Sequence, residues 1–203
     1  EYQKALYSAD DALEFRTKLL NIFASNSATT WIEAKQIEER FKKVQIENIT
    51  SKPPTMVGVD LSVRDDFSTV TYNLYSVDSR SFHSYTDYYF PDGALEKHPN
   101  CELYKGWVKA GYLKLCKGDI IDYRQIVDDI LKMANYLCIM GIGYDPYKSA
   151  EFVNLLSSSV GGEADIINPV KQTYGTFTSP VESFEIAIYS NKISFDPNPI
   201  TPY

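Results

Sequence analysis

Two aspartates stand where a carboxylate can do chemistry. Asp60 closes the apolar run Met56-Val57-Gly58-Val59, and Asp145 closes Cys138-Ile139-Met140-Gly141-Ile142-Gly143-Tyr144. A strand that is apolar up to its last residue and then acidic presents that acid at the rim of a sheet. Two such strands side by side bring two carboxylates within reach of one divalent cation. Magnesium favours octahedral oxygen ligation by one or two carboxylates, completed by waters and substrate phosphate. Two such ions about 3.5–4 Å apart can activate a water and stabilise the leaving oxygen of a phosphodiester. Both aspartates also suit ordinary strand-end turns, Asp145-Pro146 being a turn initiator.

Other residues near these two have a simple reading and a chemical one. Asp65 and Asp66 suit a tight loop between strands, and Asp66 could also reach a metal at Asp60, directly or through water. Ser62 could bond the Asp60 carboxylate or a phosphate, or be a plain turn serine. Lys148, beside Tyr144 and Tyr147, could contact a DNA phosphate or be a solvated helix-start lysine. Lys171 and Gln172, in a polar loop with Tyr174, could touch a nucleic-acid backbone. His83 and His98 have no Cys or second His at ligand spacing, which argues against zinc. The chain has no Gly-x-Ser-x-Gly and no Gly-x-x-x-x-Gly-Lys-Ser/Thr, so neither that serine hydrolase nor a P-loop is supported.

The elements that would position the two acids are legible from the hydrophobic pattern. Residues 1 to about 45 read as helical, with Leu13, Leu19, Leu20 and Phe23 on one stripe. Thr30 and Glu33 form a capping box opening a helix with Trp31, Ile37 and Phe41. Ser51-Lys52-Pro53-Pro54 cannot continue a helix. The boundary is therefore placed there: residues 1–50 as a helical linker, residues 51–203 as the main domain. Residues 56–61, Phe67 to Val77 and Ser81 to Phe90 read as three strands of an antiparallel meander, with a turn at Asp78-Ser79. A short helix is expected around Leu103 to Ala110. Asp122 caps a helix carrying Ile126, Ile130, Ala134 and Leu137. The strand ending at Asp145, a helix from about Ser149 to Ser157 and a strand from Ala164 to Val170 follow. Ser179-Pro180-Val181-Glu182 reads as a helix start. The expected fold is α/β: a mixed sheet, antiparallel meander plus parallel strands, with flanking helices. This is the ribonuclease-H-like order, in which the first and fourth strands are central neighbours.

Bulk composition sets outer limits. The chain has 203 residues, 44% of them hydrophobic and 14% aromatic, enough for a full core. No run of 18 or more apolar residues is present, so no membrane span is expected. No signal peptide is evident. Cys101, Cys116 and Cys138 match no zinc spacing, Cys138 reads as core, and a reducing compartment fits. The net charge of -7 argues mildly against a broadly basic DNA-binding surface, though metal-binding carboxylates add to it. The first residue is Glu, and the chain reads as a piece of a longer protein.

Several segments, in order, resemble the C-terminal nuclease domain of the large terminase subunit of tailed bacteriophages. They are Phe15-Arg16-Thr17-Lys18-Leu19-Leu20-Asn21-Ile22 with Thr30-Trp31-Ile32; Gly58-Val59-Asp60-Leu61-Ser62 with Asp66-Phe67-Ser68; Trp107 to Leu113; Lys117 to Tyr123; Gly143-Tyr144-Asp145-Pro146-Tyr147; and Ser179-Pro180, Glu182 and Glu185, then Asn198-Pro199. The resemblance implies a ribonuclease-H-like endonuclease, dependent on Mg²⁺ or Mn²⁺, that cuts concatemeric viral DNA during packaging. Double-stranded DNA, the portal protein and the small terminase subunit are the implied partners, and the host cytoplasm the implied location. The resemblance makes Asp60 and Asp145 two catalytic acids of a two-metal site. It puts a third carboxylate downstream of Tyr203, which Asp196 does not replace, and makes residues 1–50 the tail of an ATPase domain. Resolvase or transposase cores share the same two acids. Sugar-kinase-like ATPases share the strand order, but need a glycine-rich phosphate loop where this chain has Leu61-Ser62-Val63-Arg64. A non-catalytic docking module would keep the acids only as turn formers.

Overall fold

The computed structural model describes residues 32–160 and 165–203. Ile37–Tyr203 form one compact unit. At its centre lies a mixed sheet. The meander is β1 (Pro54–Asp60), β2 (Ser68–Ser76) and β3 (Ser81–Pro91). β4 (Lys114–Cys116), β5 (Cys138–Tyr144), β6 (Ile167–Pro169) and β7 (Ile193–Phe195) complete it. The strand order is β4-β3-β2-β1-β5-β6, with β7 also against β3. β1 pairs antiparallel with β2 and parallel with β5, and β6 is parallel to β5. This is the expected ribonuclease-H-like order, widened by two short strands on β3.

The periodicity of two decides which side chains face inward. β1 alternates strictly, burying Thr55, Val57 and Val59. β2 does the same with Ser68, Val70, Tyr72 and Leu74. That face is covered by α4 (Tyr123–Met133), through Ile126, Val127 and Ile130, and by α5 (Ala150–Val160), through Phe152 and Leu156. Each such large side chain, fully removed from water, contributes about 1.5–3 kcal/mol. Asp122 caps α4 by accepting from the Arg124 N–H at 2.9 Å, as its sequence position predicts.

A second core lies on the other face of β3. Tyr88 and Phe90 point into it, while Tyr89 between them points into the first. It is closed by α2 (Asp92–Leu95) and α3 (Cys101–Ala110), through Leu95, Tyr104 and Trp107. Phe67, half-buried, packs against it, with ring centroids 5.0 Å from Tyr104 and 5.8 Å from Phe90. The loop after Asp60 is therefore anchored at its far end by an aromatic side chain.

A polar network crosses the first core. Lys114 Nζ donates to Asp87 Oδ1 at 3.0 Å and to Asp129 Oδ2 at 2.8 Å. Tyr85 donates to Asp87 and Tyr89 to Asp129. Asp87 is only 5% exposed. Burial raises its pKa above the usual carboxylate range, against the opposing pull of Lys114. Burial acts the same way on Asp129, but hydrogen bonds from Lys114, Lys132 and Tyr89 outweigh it and hold that carboxyl low. Burial works against the charge on Lys114, and the two carboxylates overcome it.

Four local expectations are corrected. Cys138 is exposed and Cys116 is the fully buried cysteine. The reason is that Cys138 and Met140 alternate onto the sheet face that α4 and α5 leave open. The helix expected to run through Phe41 is α1 (Ala34–Glu38), and Phe41 forms a bridge to Phe195 instead. Thr30 and Trp31, like the rest of 1–31, lie outside the described residues. The last helix, α6 (Tyr174–Tyr189), starts well before Ser179-Pro180. Its N-cap is Thr173, whose side chain accepts from the Thr176 N–H, so Pro180 sits inside the helix and leaves one carbonyl without its usual donor. The Asp122 helix ends at Met133, and Leu137 is buried in the turn beyond it.

Candidate active site

Asp60 is the last residue of β1, and Asp145 is the first after β5. In the β1–β5 register Val59 pairs with Tyr144. Val59 is in the first core and Tyr144 packs against it. Paired residues in a sheet face the same side, so the next pair, Asp60 and Asp145, shares the opposite face at the strand ends. The juxtaposition follows from one crossover: β5 returns parallel to β1, so both strands end at the same rim.

The electrostatics carry the same geometry. Asp60's pKa is raised by partial burial first, then by the negative charges of Asp145 and Asp66. The Leu61 N–H offsets this in part. Asp145 Oδ1 accepts from the Tyr147 N–H at 2.9 Å, an Asx turn that holds the carboxylate at the rim and leaves it further acceptor capacity. Asp66 Oδ1 accepts from the Phe67 N–H at 2.7 Å. Among the described residues no group of three His, Cys, Asp or Glu side chains converges as a metal cage. Asp66 therefore faces Asp60 through its charge. Asp65 lies beside Arg64 on the exposed loop.

The loop between the acids and β2 is pinned. The Ser62 N–H donates to Ser68 Oγ at 2.9 Å, and Ser68 Oγ donates back to the Ser62 carbonyl at 3.2 Å. The Tyr123 hydroxyl also donates to that carbonyl, and the Ile121 N–H to the Val63 carbonyl. Ser62 thus works through its backbone as a turn residue. Lys148 is exposed on the loop after Asp145, with a left-handed φ of 55° and its Nζ 5.0 Å from the Tyr147 ring centre. Lys171 and Gln172 are exposed and follow β6, where the Val170 N–H donates to the Tyr144 carbonyl. All of these chain segments leave the sheet at the rim that carries the acids. Asp196 does not: its charged neighbours are Lys43 and Asp87. His83 is also elsewhere, on Ser194, while His98 stacks on Tyr104, where the charges of Asp66 and Asp65 reach it.

The profile of the terminase large subunit endonuclease domain matches residues 2–202. The chain belongs to this family. A curated relative, Protein YmfN of Escherichia coli strain K12, is 27% identical over 98% of this chain and 45% of its own length. The crystal structure of the HK97 bacteriophage large terminase superposes with a TM-score of 0.69 at 18% identity, over 98% of this chain and 40% of that one. The terminase chain described here thus spans less than half the length of both relatives.

A raised Asp60 pKa has a consequence for stability. A carboxyl whose folded pKa lies above its unfolded value, about 3.9, weakens the fold above that pH, and the penalty vanishes as the group is protonated. Asp60→Asn removes the charge. The variant is expected to melt at a higher temperature than the parent at pH 7 in EDTA, with the gain fading toward pH 4. A lower melting temperature in EDTA at pH 7 contradicts this electrostatic reading.

Proposed function

We propose that this terminase domain is a divalent-metal-dependent DNA endonuclease that cuts concatemeric viral DNA during genome packaging, with Asp60 and Asp145 as its catalytic, metal-holding acids. The observation that carries the reading is the adjacency of these carboxylates at the ends of parallel neighbours β1 and β5. Among the described residues, the charges that act on Asp60 are those of Asp145 and Asp66, both negative. Hard oxygen donors with excess negative charge suit Mg²⁺ or Mn²⁺. A bound ion would lower the pKa of a water and neutralise charge on the phosphodiester.

The chain's own groups then have separate tasks. Asp60 and Asp145 would hold the cation. Asp66 adds negative charge nearby. The Asx turn at Asp145 and the Ser62–Ser68 pair keep the two strand ends rigid. Lys148, Lys171 and Gln172, on loops leaving the same rim, contact DNA backbone. The portal protein and small terminase subunit are the partners proposed for the longer protein.

The test is direct. Mn²⁺ titrated into the chain should bind, measured by calorimetry or by loss of its free electron-spin signal. Asp60→Asn should remove that binding. Supercoiled plasmid should be nicked with Mn²⁺ or Mg²⁺ and left intact in EDTA. Equal Mn²⁺ binding by parent and Asp60→Asn overturns the metal-site assignment.

A further inference from the structure

A cleft of about 460 Å³ is lined by Val63, on the chain after Asp60, and by Lys148, on the chain after Asp145, together with Lys117 and Arg124. Lys148 is already among the DNA contacts proposed above; Lys117 and Arg124 are not. We propose that this cleft seats backbone phosphates of the DNA strand flanking the cut, with Lys117 and Arg124 as its phosphate-holding side chains. The proposal deepens the nuclease reading and takes its location from it.

Placement is the first argument. The cleft is walled by the chain leaving each acid: Val63, three residues after Asp60, and Lys148, three residues after Asp145. Three residues span at most about 11 Å. A DNA strand carries one phosphate per ~3.4 Å of helix axis, so that reach covers about three phosphates.

Charge is the second. The whole chain is acidic, at -7, yet this cleft has three cations against Asp122 and Glu151. Asp122 is committed to capping α4 through the Arg124 N–H. Among the described residues neither Lys117 nor Arg124 forms an ion pair, and both are exposed. An anion can therefore approach them without displacing a carboxylate.

Rigidity and cost are the third. Lys117 is followed by Gly118, whose φ of +110° suits glycine alone. The Gly118 N–H donates to Asp92 Oδ1 at 2.7 Å, and its carbonyl accepts from the Gly93 N–H. Arg124 sits in the first turn of α4, next to the N-cap Asp122. A cation at that end opposes the helix dipole, and a left-handed lysine at 148 also costs free energy. Two locally unfavourable choices around one cleft fit a site that selects for cations rather than for stability. The contacts offered are to phosphate, so they fix position without reading sequence.

The experiment measures binding of the chain to a 30-base-pair duplex against salt, in EDTA so that cleavage plays no part. Lys117→Ala and Arg124→Ala should each lower the slope of log affinity on log salt by about 1, for any DNA sequence, and together by about 2. Lys117→Arg and Arg124→Lys should restore it, and melting temperatures should stay within a few degrees of the parent. A double alanine variant with the parent's slope overturns the proposal, as does a parent without salt-dependent binding. Asp60→Asn separates the two readings. It should keep the parent's slope while losing cleavage. If Asp60→Asn cuts like the parent while the cleft variants lose slope, the acid assignment fails and the phosphate cleft stands.

Discussion

Asp60→Asn and Asp145→Asn are each expected to lower the rate of metal-dependent plasmid nicking by more than 100-fold. The size follows from position. Replacing a residue that merely orients a metal ligand typically costs about 10- to 100-fold in metal affinity or activity, and a ligand itself should cost more. Asparagine keeps the shape and one oxygen but removes the charge that would hold a hard dication. On the proposed reading the two acids act in one site, so the double variant should be little slower than either single one, as expected of residues that act as a unit. Stability should move the other way. Asp60 carries a raised pKa because of its own burial and the charges of Asp145 and Asp66. The inactive Asp60→Asn variant should therefore be no less stable than the parent in chelator, while added Mn²⁺ stabilises only the parent. Inactivity with intact folding distinguishes a chemical role from a turn-forming one. The two acids are structural if Asp60→Asn and Asp145→Asn nick plasmid as fast as the parent.

The sequence carried the main strands because their signals are local. β1 alternates strictly, and β2 and β3 are long enough for a period of two to show through. Asp122 announced α4 by the chemistry of a cap. The strand-end positions and the strand order tied Asp60 and Asp145 together, the family resemblance added a substrate, and β1 does pair parallel with β5. What stayed hidden depends on distant partners. β4 and β7 are three residues each and exist because they pair with β3, so no period could reveal them. Ser179-Pro180 has every local mark of a helix start, yet Thr173 caps the helix earlier and tertiary context accommodates the proline. Nothing local in the sequence marks Arg124 and Lys117, which only the fold places around one cleft. Asp87 gave a faint signal, a charge inside the aromatic run Tyr85-Thr86-Asp87-Tyr88-Tyr89-Phe90. Its partner Lys114 could not be found without β4.

That partner carries the second large effect. Lys114→Met is expected to destabilise the fold by about 3 kcal/mol at pH 7, the low end of the range for breaking a buried pair, because the Lys114 side chain is itself 36% exposed. The cost does not come from a lost attraction alone. Asp87, 5% exposed, would keep its charge with only the Tyr85 hydroxyl to solvate it. Asp129 suffers less, since Lys132 and Tyr89 still donate to it. The pH dependence fixes the cause. Burial already raises the Asp87 pKa in the parent, and losing Lys114 raises it further. A raised folded pKa destabilises above the unfolded value, and the penalty disappears as the carboxyl takes a proton. The deficit of Lys114→Met should thus shrink as pH falls from 7 toward 4. Lys114→Met combined with Asp87→Asn should recover part of the loss at pH 7, since an amide needs no counter-charge. Urea midpoints at pH 7 and pH 4.5 provide the measurement. A deficit that is the same at both values would mean the lysine contributes through packing of its aliphatic stem over Tyr89, whose ring centre lies 5.3 Å from Nζ, and not through the charge of Asp87.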